Sequence, residues 1–168
     1  MEVCLAKRYP DFKPQIEGGQ SAQQVLSVLH EVQWDQGSPE RGQALFAKLT
    51  CSRCHGGRKA LGPDLHGVGK RFNRKDLFAA IVDPNRDVPE RYQLTTVITT
   101  DGKTYSGLIV YESVDGILLR DTQHRTYRIE AEDIETKVKK RVSLMPSGLL
   151  RNMVDQDLAD LDAYLRRI

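Results

Sequence analysis

The 168-residue chain has three cysteines, one tryptophan and few aromatic residues of any kind (7%). Three cysteines are too few for a disulfide framework, and at this length a hydrophobic core does not need one. No apolar run approaches the roughly 20 residues of a transmembrane helix, so no membrane span is expected. An excess of one charge is lacking too: 25 Lys and Arg stand against 23 Asp and Glu. That balance gives no global footprint for nucleic acid, and the ordinary apolar content excludes wholesale disorder. Met1 to Pro10 carries charges and no apolar h-region, so no secretory leader is read there. A second C-x-x-C and an H-x-x-x-H are also missing.

What is present is Cys51-Ser52-Arg53-Cys54-His55, a C-x-x-C-H pentapeptide. Two thiols three positions apart at a helix end can each form a thioether to one vinyl group of a haem, and the next histidine then lies under the iron as proximal ligand. The expected cofactor is one covalently bound haem c per chain. A zinc site would need two further ligands, for which His66, Cys4 or His124 are available. A thioredoxin-type pair should follow a strand, whereas the residues before Cys51 read as helical. Haem c is ordinarily attached outside the cytoplasm. The missing leader then implies a domain of a larger exported protein, in the periplasm or another extracytoplasmic space, with Cys4 an odd thiol of no structural role.

Helices frame the motif. Ser21 to Trp34 places Val25, Leu26, Val28, Leu29 and Val32 at helical spacing behind a possible Ser21 cap. Ser38 caps the next helix, Pro39 takes the first position, Glu40 suits the dipole, and Gly42, Leu45, Phe46 and Leu49 make one face leading into Cys51. Asn73 caps a helix over about Arg74 to Val82, with Asp76 in the reciprocal position and Asp83-Pro84-Asn85 as terminator. A last helix, capped by Asp155, carries Leu158, Leu161, Tyr164 and Leu165 on one face. Gly42 has no side chain, so the Gly42/Phe46 face is expected to cross the Leu161/Tyr164 face at close range.

Gly42, Phe46, the C-x-x-C-H motif, Gly62-Pro63-Asp64-Leu65, Met145-Pro146 and Leu161-x-x-Tyr164-Leu165 together resemble a class I cytochrome c over most of 38–85 and 143–168. The departure is the separation of about ninety residues between His55 and Met145, which reads as an insertion. Ile81-Val82-Asp83-Pro84-Asn85 and Ser143-Leu144-Met145-Pro146-Ser147-Gly148-Leu149 look like the haem-binding domains at the C-terminus of large exported planctomycete and verrucomicrobial proteins. In those proteins the domain often follows a dehydrogenase-like β-propeller.

Of the methionines, Met145 sits in a loop before Pro146, where a thioether can be held towards an iron, while Met153 reads as a core residue at the approach to the last helix. The resemblance favours Met145 as sixth ligand. His30, His66 and His124 are the competing ligands, His66 being nearest the motif. The resemblance further implies that the Pro63 carbonyl accepts the Nδ1–H of His55, and that Arg71 meets a haem propionate, with Lys70 and Arg74 equally near in sequence. Seven Lys or Arg lie between Cys51 and Lys75 against one acid, Asp64, a rim able to steer an acidic redox partner.

From about Gln93 to Arg141 the period changes to two, with Asp101-Gly102 and Asp115-Gly116 turns. Five short strands are expected to curl into a small barrel, and the pattern resembles an Sm-like or SH3-like barrel. Nine basic and nine acidic residues between Val88 and Arg141 leave it neutral, so RNA binding is not expected. The fold class expected is therefore α+β: a mainly α cytochrome c fold (38–87 and 142–168) with an inserted all-β barrel (88–141) and an N-terminal extension with one helix (1–37). The function expected is a single-haem electron carrier that is not an enzyme and has a redox partner. The alternative is a haem-based gas sensor with a displaceable methionine.

Overall fold

The computed structural model describes residues 26–56 and 60–168. Its helices are α1 (Pro39–Lys48), α2 (Cys51–Cys54), α3 (Val68–Arg71), α4 (Arg74–Val82) and α5 (Asp155–Arg167). Between α4 and α5 run β1 (Gln93–Thr99), β2 (Thr104–Ser113), β3 (Gly116–Arg120), β4 (Thr126–Glu130) and β5 (Ile134–Ser143).

The caps follow the side chains. Ser38 Oγ accepts from Arg41 N, and Asn73 Oδ1 accepts from Asp76 N at 2.8 Å. At α5 the cap is Val154 rather than the expected Asp155: Asp157 reaches back to accept from Val154 N, and Asp155 becomes the first helical residue, where its charge still meets the positive end of the helix. Leu29 and Val32 are buried in the helical core, while Ser21 and Val25 lie outside the described residues.

α1 and α5 cross at Gly42. A Cβ built there would lie 1.9 Å from the Asp160 carbonyl oxygen and 2.7 Å from Tyr164 Cβ, so only glycine admits this approach. Beside it the Phe46 and Tyr164 rings pack at 5.3 Å. Phe46, Val68, Leu77, Phe78, Leu158, Leu161 and Leu165 form the core between these helices. Two buried carboxylates on α5 fix its neighbours. Asp160 receives Arg41 Nε and Nη2 at 2.6 and 2.7 Å and Ser38 N at 2.8 Å. Asp162 receives Arg74 Nε and Arg166 Nε, each at 2.9 Å, and the Arg74 guanidinium lies 4.3 Å from the centroid of the Trp34 ring.

The strands form one antiparallel sheet in the order β4-β3-β2-β1-β5 with a core of its own around Val97, Ile117, Leu119 and Ile129. The expected barrel is corrected to an open sheet: β4 and β5 each pair along one side, with β3 and β1 respectively, and no ladder joins them among the described residues. β2 joins the two halves of the sheet. Its first half pairs with β1 and its second with β3, and the register shifts between Ile109 and Tyr111. Val110, at that shift, is 40% exposed. Among the described residues no helix is long and apolar enough to cross a membrane.

Candidate haem site

The motif is placed by a break in the chain. α1 ends at Lys48, and Thr50 takes a left-handed conformation (φ 58°) that redirects the backbone so that Cys51 starts a separate turn, α2. Strain of this kind in a β-branched residue collects at functional sites. Cys51 and Cys54 stand one turn apart, half-buried and not disulfide-bonded. Burial pushes both thiols up from their ordinary range.

His55 follows as the residue closing that turn. Its Nδ1 lies 2.9 Å from the Pro63 carbonyl oxygen. A carbonyl only accepts, so Nδ1 carries the proton and Nε2 keeps its lone pair for a metal. Gly62 clears room for the ring: a Cβ there would sit 2.6 Å from His55 Cε1 and 2.8 Å from Nδ1. Leu61 N and Gly62 N both donate to the Cys54 carbonyl, at 3.1 and 2.9 Å, folding the loop back onto α2.

Arg71 is the last residue of α3 and reaches back to that loop. Its Nη2 donates to the Asp64 carbonyl at 2.8 Å, one residue beyond Pro63, so the guanidinium braces the segment that presents the acceptor to His55. Cys51, Cys54, His55, Pro63 and Arg71 thus come together as one hydrogen-bonded unit. Met145 is placed by other contacts. It is half-buried in the loop between β5 and α5, with its N–H donating to Ser143 Oγ at 3.0 Å. Ser143 N in turn donates to Asn85 Oδ1 at 2.8 Å. Met153 packs against the helical core, as expected of it, and lines a groove of about 610 Å³ with Leu45, Lys48, Leu49, Leu149 and Arg151.

The rival sites find less. Among the described residues no group of three or more His, Cys, Asp or Glu is arranged to hold a metal ion, which leaves a zinc site without its second pair of ligands, and Cys4 lies outside those residues. A helix and a turn, not a strand, precede Cys51. Sequence reasoning missed Asp160, Asp162, Gly62 and Asn85. The two acids on α5 are buried with partners on other elements, and Gly62 and Asn85, present in the quoted motifs, show their roles only against His55 and Ser143.

Residues 37–97 match a family model described as cytochrome C oxidase, cbb3-type, subunit III. No curated protein is significantly similar to the chain. The match supports a cytochrome c domain at residues 37–97, and the cofactor of such a domain is covalently bound haem c. The residues fit that group: two unpaired thiols one turn apart, an imidazole with Nδ1 already engaged and Nε2 available, and a glycine cleared beside the ring. Domains of this family are electron carriers that work with redox partners, usually outside the cytoplasm.

Proposed function

We propose that the protein is a single-haem electron carrier in which His55 and Met145 ligate the iron and Cys51 and Cys54 hold the macrocycle. Haem c supplies a one-electron Fe(III)/Fe(II) couple when bound. The observation that carries the reading is the His55–Pro63 hydrogen bond directly behind the C-x-x-C-H motif. It orients the imidazole, fixes its tautomer and raises its basicity towards a metal. The Met145 thioether completes the ligand set, favours the reduced iron and closes the sixth position against exogenous ligands. No residue acts as acid, base or nucleophile in this reading. The chain's work is to hold two ligands still and keep water from the pocket, so that little reorganises when the charge changes.

In this reading, residues 38–87 and 142–168 make the haem domain, 1–37 an N-terminal extension and 88–141 an insertion. The adjacency of Asn85 and Ser143 supports the insertion, because the chain leaves and re-enters the helical body at one place. The domain belongs to a larger exported, dehydrogenase-like protein, as the resemblance to planctomycete-type haem-binding domains implies. Arg71 also serves a haem propionate. Arg53, Lys70, Arg71 and Lys75 are exposed and form the rim that steers an acidic partner, whereas Arg74 is committed to Asp162 and Trp34. Arg58 and Lys59 lie outside the described residues.

The test is Met145→Ala in protein matured by a cytochrome c assembly system. The expected result is loss of the weak thioether band at the red end of the oxidised spectrum, a lower reduction potential and ready binding of carbon monoxide to the reduced iron. Met153→Ala should leave all three nearly unchanged. Rapid carbon monoxide binding by the wild type, with little change in Met145→Ala, would replace the carrier with a gas-sensing domain.

A further inference from the structure

We infer that Asn85 is the positioning residue for the sixth ligand, and that it pins the end of β5 to hold the Met145 loop in register; this rests on Met145 being that ligand. The problem the fold must solve is set by chain length. A thioether held about ninety residues beyond the proximal histidine, after a strand-rich excursion, inherits every displacement of that excursion unless its ends are pinned together. Asn85 stands just past α4, where the chain departs, and Ser143 is the last residue of β5, where it returns. Two consecutive hydrogen bonds join departure to ligand. Ser143 N donates to Asn85 Oδ1 at 2.8 Å, and Met145 N donates to Ser143 Oγ at 3.0 Å.

The sheet geometry strengthens the pin. β5 pairs with β1 from Ile134 to Ser143, and at its end Ser143 stands opposite Gln93, the first residue of β1. The register slips between Gln93 and Leu94, so the regular ladder has already broken where the loop begins. Asn85 takes up the Ser143 N–H at that break. Gln93 Nε2 donates to the Val88 carbonyl at 2.9 Å, holding the segment between Asn85 and β1 against the same corner. β5 thus ends against Asn85, beside the start of β1.

Detachment of Met145 is read directly by imidazole binding to the oxidised haem-loaded protein. At saturating imidazole the observed rate reaches a limit set by how often the thioether leaves the iron. Losing one exposed hydrogen bond of ordinary strength should raise that limiting rate roughly fivefold. Asn85→Ala is expected to show this increase, Ser143→Ala a similar one, and Asn85→Asp, which keeps the acceptor, a rate near that of the wild type. A limiting rate in Asn85→Ala equal to the wild type's overturns the inference, whatever the variant does to the melting temperature, because a merely structural role would move only the latter. Failure of the underlying reading has a different signature: a wild type with no thioether band and no rate limit at any imidazole concentration has no Met145 ligation to position.

Discussion

Replacing Gly42 by alanine sets two effects of opposite sign against each other, and the geometry decides between them. In an isolated helix the change stabilises by about 1 kcal/mol, because glycine carries the larger conformational entropy cost. In this fold the new methyl would stand 1.9 Å from the Asp160 carbonyl oxygen, where ordinary contact begins near 3.4 Å. The obstacle is helix backbone, not the flexible end of a side chain, so α1 and α5 must separate by about 1.5 Å. Overpacking of this kind costs about 1–3 kcal/mol. Separation also loosens the Phe46–Tyr164 pair, which contributes about 1 kcal/mol beyond its area. Towards the upper end of these terms, and after the helical gain is subtracted, Gly42→Ala destabilises by about 2–3 kcal/mol. With a urea dependence of about 2 kcal/mol/M, the unfolding midpoint measured by circular dichroism should fall by about 1 M. Gln43→Ala, exposed on the same helix, should stay within about 0.5 kcal/mol of the wild type. A Gly42→Ala midpoint equal to or above the wild type's would refute the close crossing.

Three further outcomes are expected. Gly62→Ala places a methyl 2.6 Å from His55 Cε1 and should displace the imidazole from Pro63, seen as a shifted reduction potential and altered ligand-field bands, whereas an unchanged spectrum would mean the ring has room. Asp160 is held below the ordinary aspartate range chiefly by its hydrogen bond from Arg41, against burial, which pushes it up, with Ser38 N–H and Gln156 assisting. Because its folded value is the depressed one, its contribution is complete above the unfolded-state value near 3.9 and is lost as pH falls through the folded value. Asp160→Asn should therefore flatten the acid limb of a stability–pH curve, and an identical limb in both proteins would refute the pairing. If Arg53, Lys70, Arg71 and Lys75 steer an acidic partner, transfer rates to that partner should fall steeply as salt rises to where screening shortens to about 8 Å; rates independent of salt would assign these charges elsewhere.

Features that depend on a few neighbouring residues are legible in the sequence alone. Cys51, Cys54 and His55 read as a unit because their chemistry requires a fixed spacing, and Ser38, Asn73 and the Asp-Gly turns do so because caps and turns satisfy backbone groups within a few residues. The change of period near Gln93 announces the sheet for the same reason. Even the Gly42 crossing follows from two apolar faces and one missing side chain, although only the fold sets its distance.

Properties that depend on where two distant segments meet were decided by the tertiary structure. Whether five strands close or stay open turns on the register slip in β2 and on β4 and β5 each finding one neighbour among the described residues, and no local pattern encodes that. The slip also leaves Val110 exposed. Arg74 reads in the sequence as one charge of a surface rim, and folding sets Asp162 and Trp34 beside it. Asp160 and Asp162 carry no local mark of burial, because a carboxylate is buried at tolerable cost only with partners, here arginines from α1, α4 and α5 itself together with Ser38 N–H and Gln156 at Asp160. The sequence by itself determined the chemistry of attachment, since three residues within one pentapeptide suffice to state it. The tertiary structure decided the contacts around His55 and the Met145 loop, since Pro63 and Gly62 meet the imidazole and Asn85 meets Ser143 only in the folded chain.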